Sequence, residues 1–186
     1  MKKEERALEI FKRLKKEFPD AKCALDHQDP FELLVATILS AQCTDERVNK
    51  VTPALFKRFP TVEKMSRATL EELETLIHST GFYKNKAKSL LGASQTIVKE
   101  YEGEFPSEME KLIALPGVGR KTANVVLGNA FDAPEGVVVD THVTRLSNLL
   151  GLSKQKTAEK IEIDLNKLFK KNQWVMISNF LILHGR

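Results

Sequence analysis

Apolar residues recur along this chain at helical spacing, almost from one end to the other. Ala7, Ile10, Phe11 and Leu14 fall at the i, i+3, i+4, i+7 positions of an amphipathic helix, and later segments repeat the pattern. The single valine triplet, 137–139, is too short for more than a token strand. The pattern predicts an all-α protein with roughly nine or ten short helices.

Length and composition exclude several classes of protein. The 186 residues, 42% of them hydrophobic, suffice for one domain or two small ones. No apolar run approaches the ~18 residues that span a bilayer, and the N-terminus lacks the apolar core of a signal peptide. Two cysteines, Cys23 and Cys43, suit a reducing cytoplasm. The net charge of +4 gives only a weak indication of an anionic partner.

Helix starts can be predicted at three places. Thr69–Glu72 and Ser107–Glu110 each carry a hydroxyl followed three residues later by Glu, the pattern of a capping box. Asp140 stands where an N-cap would, before Val143.

The segment with the most functional information runs from Leu115 to Asn124, with the sequence LPGVGRKTAN. Gly117 and Gly119 allow backbone conformations closed to other residues, and they leave room for a ligand. Successive N–H groups at a helix N-terminus form an anion site that suits a phosphate of a DNA duplex. The alternative is a plain turn between two helices.

Lys121 and Asp140 are candidate catalytic residues, and each has a purely structural alternative. The positive end of a helix dipole disfavours a protonated amine such as that of Lys121, and a neutral amine is a nucleophile. A lysine that only binds phosphate would explain the same position. A carboxylate at Asp140 could stabilise a sugar cation and accept protons, or it could simply cap a helix.

Five segments resemble the endonuclease III family of helix-hairpin-helix DNA glycosylases and AP lyases. They are LLVATILSAQCTD (33–45), TGFYKNKA (80–87), LPGVGRKTANVVL (115–127), VDTHV (139–143) and ILHGR (182–186). The resemblance implies base excision repair. Oxidised pyrimidines such as thymine glycol would be excised from duplex DNA, and the abasic site would be cleaved by β-elimination through a lysine Schiff base. It further implies a monomer in a bacterial cytoplasm, associated with the nucleoid.

The resemblance assigns roles to particular positions. Lys121 matches the Schiff-base lysine, Asp140 the catalytic aspartate, and Gln42 the residue that fills the gap left by the extruded nucleotide. Phe82 lies where the family commonly has an apolar wedge, and its alternative is a core phenylalanine. The hairpin residues expected to contact DNA are Leu115, Gly117, Val118, Gly119, Arg120 and Thr122, and the expected neighbours of the site are Ser40, Asp45, Thr141 and His142.

The family also implies two helical domains with the DNA cleft between them. Residues 22–134 would form a helical bundle that carries the hairpin and Lys121. Residues 1–21 together with 135–186 would form the second domain, which carries Asp140. Periodicity predicts the helices but not this pairing of the two termini.

The sequence departs from the family in one respect. The family usually has four cysteines just beyond HGR that hold a [4Fe–4S] cluster, whereas this sequence ends at Arg186. Cys23 and Cys43 cannot supply four thiolates. The expectation is therefore a chain without a cofactor and without a metal ion. A truncated form, a processed fragment and a relative without the cluster all fit that expectation.

The sequence leaves two other functions open. One is an adenine-excising monofunctional glycosylase, which generally lacks the lysine, so Lys121 argues against it. The other is a non-catalytic helix-hairpin-helix module that binds DNA. In that case Lys121 would be a phosphate contact and Asp140 a helix cap.

Overall fold

The computed structural model describes residues 2–186, and the all-α prediction is confirmed. The described chain forms eleven α-helices and two 3-10 turns, His78–Thr80 and Lys171–Gln173. The helices are α1 (Lys3–Glu17), α2 (Pro30–Leu39), α3 (Asp45–Arg58), α4 (Val62–Ser66), α5 (Leu70–Ile77), α6 (Tyr83–Glu100), α7 (Met109–Ile113), α8 (Arg120–Ala130), α9 (Thr141–Leu149), α10 (Ala158–Leu168) and α11 (Trp174–Gly185). The number exceeds the predicted one because helices of five residues, such as α4, are too short to show a period.

The chain divides into two compact units. One is Ala24–Phe131, which contains α2 to α8, and the other joins the chain up to Cys23 with Asp132–Arg186. These bounds lie two or three residues from those predicted for the domains. None of the helices in the described chain is long and apolar enough to cross a membrane.

Helix α2 is the centre of the Ala24–Phe131 unit. It begins with Pro30, and the Asp29 side chain accepts a hydrogen bond of 2.8 Å from the Glu32 N–H. Every residue from Leu33 to Leu39 is buried, because α2 packs against α3, α6 and α8. The loop that leaves α2 and the start of α8 are therefore anchored to the same core.

The two predicted capping boxes have different outcomes. The box of Thr69 and Glu72 is present at the start of α5. The prediction at Ser107 is wrong, because α7 begins at Met109 and Glu108 takes the N-cap position without a side-chain cap bond. Glu108 instead accepts a hydrogen bond of 3.0 Å from Lys111.

The other unit packs α1, α9, α10 and α11 around a core that includes Phe11 and Phe180, whose ring centroids lie 5.5 Å apart. The valine triplet Val137–Val139 is buried here as an extended segment that forms no strand. Side chains take the place of a partner strand, because the Val138 N–H donates to the Ser178 hydroxyl at 2.9 Å. This segment leads directly into Asp140 and α9.

Candidate active site

The hairpin between α7 and α8 is held by its apolar residues and bent by its glycines. Leu115 and Val118 are buried, and the Val118 N–H donates to the Leu115 carbonyl at 3.1 Å. Gly117 has a φ of +78°, and a Cβ there would lie 2.5 Å from the Cβ of Ser89. Gly119 has open space around it. One glycine is therefore required by the turn, while the other leaves the start of α8 uncovered.

The first turn of α8 is basic. Gly119 is its N-cap and supplies no side-chain cap, and the turn contains Arg120 and Lys121 but no acidic residue. Helices α1, α2, α3 and α5 each begin with acidic residues, which stabilise a helix N-terminus. Lys121 is exposed and Thr122 is half-buried. The start of α8 thus lacks the acidic residues that stabilise a helix N-terminus, as do the starts of α6, α9 and α11.

Gln42 lies at the tip of the loop that follows α2. It is exposed and has a φ of +51°, in the left-handed region that non-glycine residues seldom occupy. The Ser40 hydroxyl donates to the Thr37 carbonyl at 2.8 Å, and the Cys43 N–H donates to the Ser40 carbonyl at 3.1 Å. Asp45 is the half-buried first residue of α3. Ser40 thus shapes the loop on which Gln42 is presented.

Phe82 lies on a second loop, just before α6. Its side chain is 64% exposed, so the alternative that it is a core residue is wrong. Its φ is +48°, and the preceding Gly81 has a φ of +71°. A bulky residue in this conformation is unusual. The loop therefore presents an aromatic ring outward at some cost in backbone energy.

Lys86 joins these two loops, and it is not among the residues predicted from the sequence. Its side chain is buried, and its amine donates to the carbonyl of Leu39 at 2.8 Å and to that of Thr80 at 2.9 Å. Burial lowers the pKa of Lys86, and the nearby Cys43 partly offsets that effect. Periodicity could have identified it, because Lys86 occupies the buried stripe of α6 with Leu90 and Ala93.

Asp140 lies in the other unit, at the N-cap of α9. Its carboxylate accepts a hydrogen bond of 2.8 Å from the Val143 N–H, so the predicted cap is present. The residue is half-buried, and the neighbouring Thr141 is exposed. A cap of this kind fixes the carboxylate at the positive end of a helix.

His142 ties α9 to α11. Its Nδ1 lies 2.9 Å from the Gly185 carbonyl oxygen, and Arg145 donates to the same oxygen at 2.6 Å. A Cβ at Gly185 would lie 2.8 Å from the Cβ of His142, so only glycine permits this approach. The structure thus gives His142 a packing and hydrogen-bonding role within its own unit.

The predicted residues are distributed over the two units. The hairpin, Gln42, Phe82, Ser40 and Asp45 belong to Ala24–Phe131, together with Lys121. Asp140, Thr141 and His142 belong to the unit formed by both termini.

The sequence matches the HhH-GPD superfamily of base excision DNA repair proteins over residues 35–171. It is 57% identical to Endonuclease III of Synechocystis over 184 residues, which cover 99% of this chain and 84% of the relative. It is 46% identical to Endonuclease III of Bacillus subtilis over 170 residues, which cover 91% of this chain and 77% of the relative.

Solved structures give the same result. A non-covalent complex of endonuclease III with DNA aligns with a TM-score of 0.93 and 42% identity, covering 98% of this chain and 86% of that chain. A trapped covalent intermediate of endonuclease III with DNA aligns equally well, with a TM-score of 0.93. A thermostable thymine-DNA glycosylase shares the fold alone, with a TM-score of 0.83 and 18% identity.

These relatives correct the prediction about cofactors. The expectation that the chain has none is wrong, because endonuclease III relatives at this identity are typically [4Fe–4S] proteins. The described residues do not fit such a cluster. The sequence has two cysteines, Cys23 and Cys43, and residues 2–186 contain no group of His, Cys, Asp and Glu side chains that could hold a metal ion.

Enzyme class follows from the relatives, and the alternative of a non-catalytic module is wrong. Endonuclease III proteins are DNA glycosylases and AP lyases, and the match covers almost the whole of this chain. The chain belongs to the endonuclease III family, within the HhH-GPD superfamily of DNA-binding base excision repair enzymes.

Proposed function

We propose that this enzyme excises oxidised pyrimidines such as thymine glycol from duplex DNA and then cleaves the abasic site through a Schiff base on Lys121. The first turn of α8 carries the proposal. There an exposed amine stands beside a glycine N-cap, in a turn without acidic residues. That arrangement costs the helix stability and favours a phosphate and a nucleophile together.

DNA is held through its backbone and opened by two loops. The N–H groups at the start of α8 bind a phosphate, and Arg120 adds positive charge there. The damaged nucleotide is turned out of the stack at a cost of a few kcal/mol, which is lower when its stacking is already weakened. Gln42 and Phe82, both exposed, fill the vacancy.

Lys121 then carries out the covalent chemistry. Its neutral amine attacks C1′ of the deoxyribose, the bond from C1′ to the base breaks, and the base leaves with the bonding electrons and takes up a proton. The attached amine gives up one proton, the bond from C1′ to the ring oxygen opens, and that oxygen takes up a proton, which leaves an iminium that keeps one N–H. Loss of a proton from C2′ breaks the bond to the 3′ oxygen, so the 3′ phosphate leaves. Water hydrolyses the iminium and frees the amine.

Asp140 assists the same sugar as a fixed carboxylate. Its negative charge stabilises the positive charge that develops at C1′ as the base departs. It also accepts a proton from the attacking amine. The hydrogen bond from Val143 holds it in place throughout. Duplex DNA with a damaged pyrimidine or an abasic site is thus the substrate, and we propose that the enzyme meets it as a monomer in the bacterial nucleoid.

Borohydride trapping tests this proposal. A duplex with one thymine glycol is incubated with the enzyme and sodium borohydride, and the covalent adduct is mapped by peptide mass spectrometry. We expect the adduct on Lys121, and none with K121A. K99A is the matched control, because Lys99 is also an exposed lysine on a helix of the same unit.

Two results would contradict the proposal. One is normal trapping by K121A, which would move the Schiff base to another amine. The other is release of the base from thymine glycol without any trapped adduct, which would describe a monofunctional enzyme.

A further inference from the structure

A buried lysine that has no part in the proposed chemistry lies at the base of both inserting loops. Lys86 is 5% exposed, although its helix begins at the surface loop that presents Phe82. Burying an amine is costly unless its hydrogen-bonding capacity is used. The burial of Lys86 therefore has to be explained by the groups to which its amine donates hydrogen bonds.

The amine of Lys86 binds the two chain segments immediately before the loops. Leu39 is the last residue of α2, and its carbonyl, which accepts at 2.8 Å, lies three residues before Gln42. Thr80 is the last residue of a 3-10 turn, and its carbonyl, which accepts at 2.9 Å, lies two residues before Phe82. A single side chain thus satisfies carbonyls at the ends of two elements.

The loops beyond those carbonyls have a further property in common. Gln42 and Phe82 both have positive φ values, +51° and +48°, and both side chains are exposed. Strained conformations persist only where the surrounding structure fixes them. The backbone N–H of Lys86 also donates to the Phe82 carbonyl at 3.1 Å, so the same residue closes the first turn of α6.

We infer that Lys86 is a positioning residue that sets the spacing of Gln42 and Phe82, so that both enter the DNA together. The inference rests on the proposed function, in which those two side chains fill the gap left by the damaged nucleotide. An ammonium group suits this position because it has three donors and no acceptor, and it binds carbonyls from different segments at once. Because its side chain is buried, Lys86 acts through the two loops and not by direct contact with the substrate.

The test compares K86M with K88A, which removes an exposed lysine from the same helix. Single-turnover release of thymine glycol from a duplex measures insertion and chemistry together. Lyase cleavage of a single-stranded abasic oligonucleotide needs no insertion. A duplex with 2-aminopurine opposite a tetrahydrofuran abasic analogue reports insertion alone by fluorescence.

For K86M we expect at least a tenfold loss of release from the duplex and a reduced 2-aminopurine response. Cleavage of the single strand stays within twofold of the wild type, and K88A matches the wild type in all three assays. Wild-type behaviour of K86M on the duplex would overturn the inference. So would an equal loss on duplex and single strand, which would indicate general damage to the fold.

A second measurement leaves position 86 unchanged, and it decides the question if K86M does not fold. Q42A, F82A and the double variant are compared in single-turnover release. Side chains that enter as a pair give a double variant that loses clearly less than the product of the single losses. A double variant whose fold-loss equals the product of the two single fold-losses would overturn the inference. If neither single variant loses activity, the proposed roles of Gln42 and Phe82 are wrong, whatever K86M does.

Discussion

Phe82 and Gln42 concentrate the conformational cost of the site in two residues. Each holds a non-glycine backbone in the left-handed region, which costs of order 1–3 kcal/mol per residue. Neither side chain recovers that cost by burial, since Phe82 is 64% exposed and Gln42 is also at the surface. A residue that weakens the free protein in this way is typical of a functional position.

Phe82 provides a prediction that separates function from stability. F82A keeps the strained backbone and removes an exposed ring, so we expect the free energy of unfolding to change by less than about 0.5 kcal/mol. F82G also relieves the strain and should stabilise the protein by about 1 kcal/mol. Both should release thymine glycol at least tenfold more slowly.

Chemical denaturation and single-turnover assays measure the two effects. L149A is the control, because Leu149 is an exposed hydrophobic residue on another helix, at 71%. A large loss of stability in F82A would mean that the ring packs against the protein after all.

Asp140 combines a cap with the proposed chemistry, and two substitutions separate them. Asn caps a helix as well as Asp does, so the free energy of unfolding of D140N should lie within about 0.5 kcal/mol of the wild-type value. That of D140A should be lower by about 1 kcal/mol. Both should slow base release at least 100-fold, because both remove the carboxylate. Thermal unfolding together with base release makes the comparison. Normal activity in D140N would leave Asp140 with the cap alone.

The hairpin shows how one element assigns different tasks to similar residues. Gly117 permits a positive φ and a close approach to Ser89, whereas Gly119 has an ordinary extended backbone with open space around it. The first is needed for the turn. The second keeps the start of α8 accessible, and α8 in turn packs on the buried helix α2.

G117A should therefore act mainly on stability, and G119A mainly on DNA binding. G117A forces a Cβ into the left-handed region and against Ser89, so we expect a loss of about 2 kcal/mol or more in the free energy of unfolding. G119A should lose less than about 1 kcal/mol, the cost of a poorer N-cap, but should weaken binding to duplex DNA. Urea denaturation and fluorescence anisotropy give both quantities. If G119A binds as the wild type does, the phosphate does not approach that glycine.

The sequence predicts which segments are helical better than it predicts where each helix begins and ends. Periodicity identified the amphipathic helices, and the caps at Thr69 and Asp140 are present. The cap at Ser107 failed because a helix start depends on which backbone conformation the packing selects, and Glu108 was selected instead. The positive φ of Gln42 and Phe82 has no sequence signal, since glycine would be the expected residue there.

The whole molecule joins distant parts of the chain in a way that periodicity does not reveal. Helix α1 packs with α10 and α11 in one core, although more than a hundred residues separate them. Apolar stripes show that a helix has a partner, but not which one. Only the resemblance to a known family implied this pairing of the termini.

The net charge is also a property of the whole molecule, and it bears on how DNA binding responds to salt. The net charge of +4 is modest, so duplex affinity should depend on particular contacts, each of which contributes about 0.9 to the slope of log affinity against log salt. R120Q should reduce that slope by about 1 on undamaged DNA, because Arg120 adds positive charge at the phosphate site. Fluorescence anisotropy titrations at salt concentrations from about 50 to about 200 mM KCl measure this slope. An unchanged slope would mean that Arg120 contacts no phosphate.

The fixed conformation of the two loops bears on how the enzyme would search a genome. Inserting residues that already hold their final shape need no local folding at each base pair they visit. The resistance they meet is then the stacking of the DNA itself, which is weakest at a damaged or mispaired base. On the proposed function, the first test of a site is thus mechanical compliance, and the chemical identity of the base is read only after the helix has yielded.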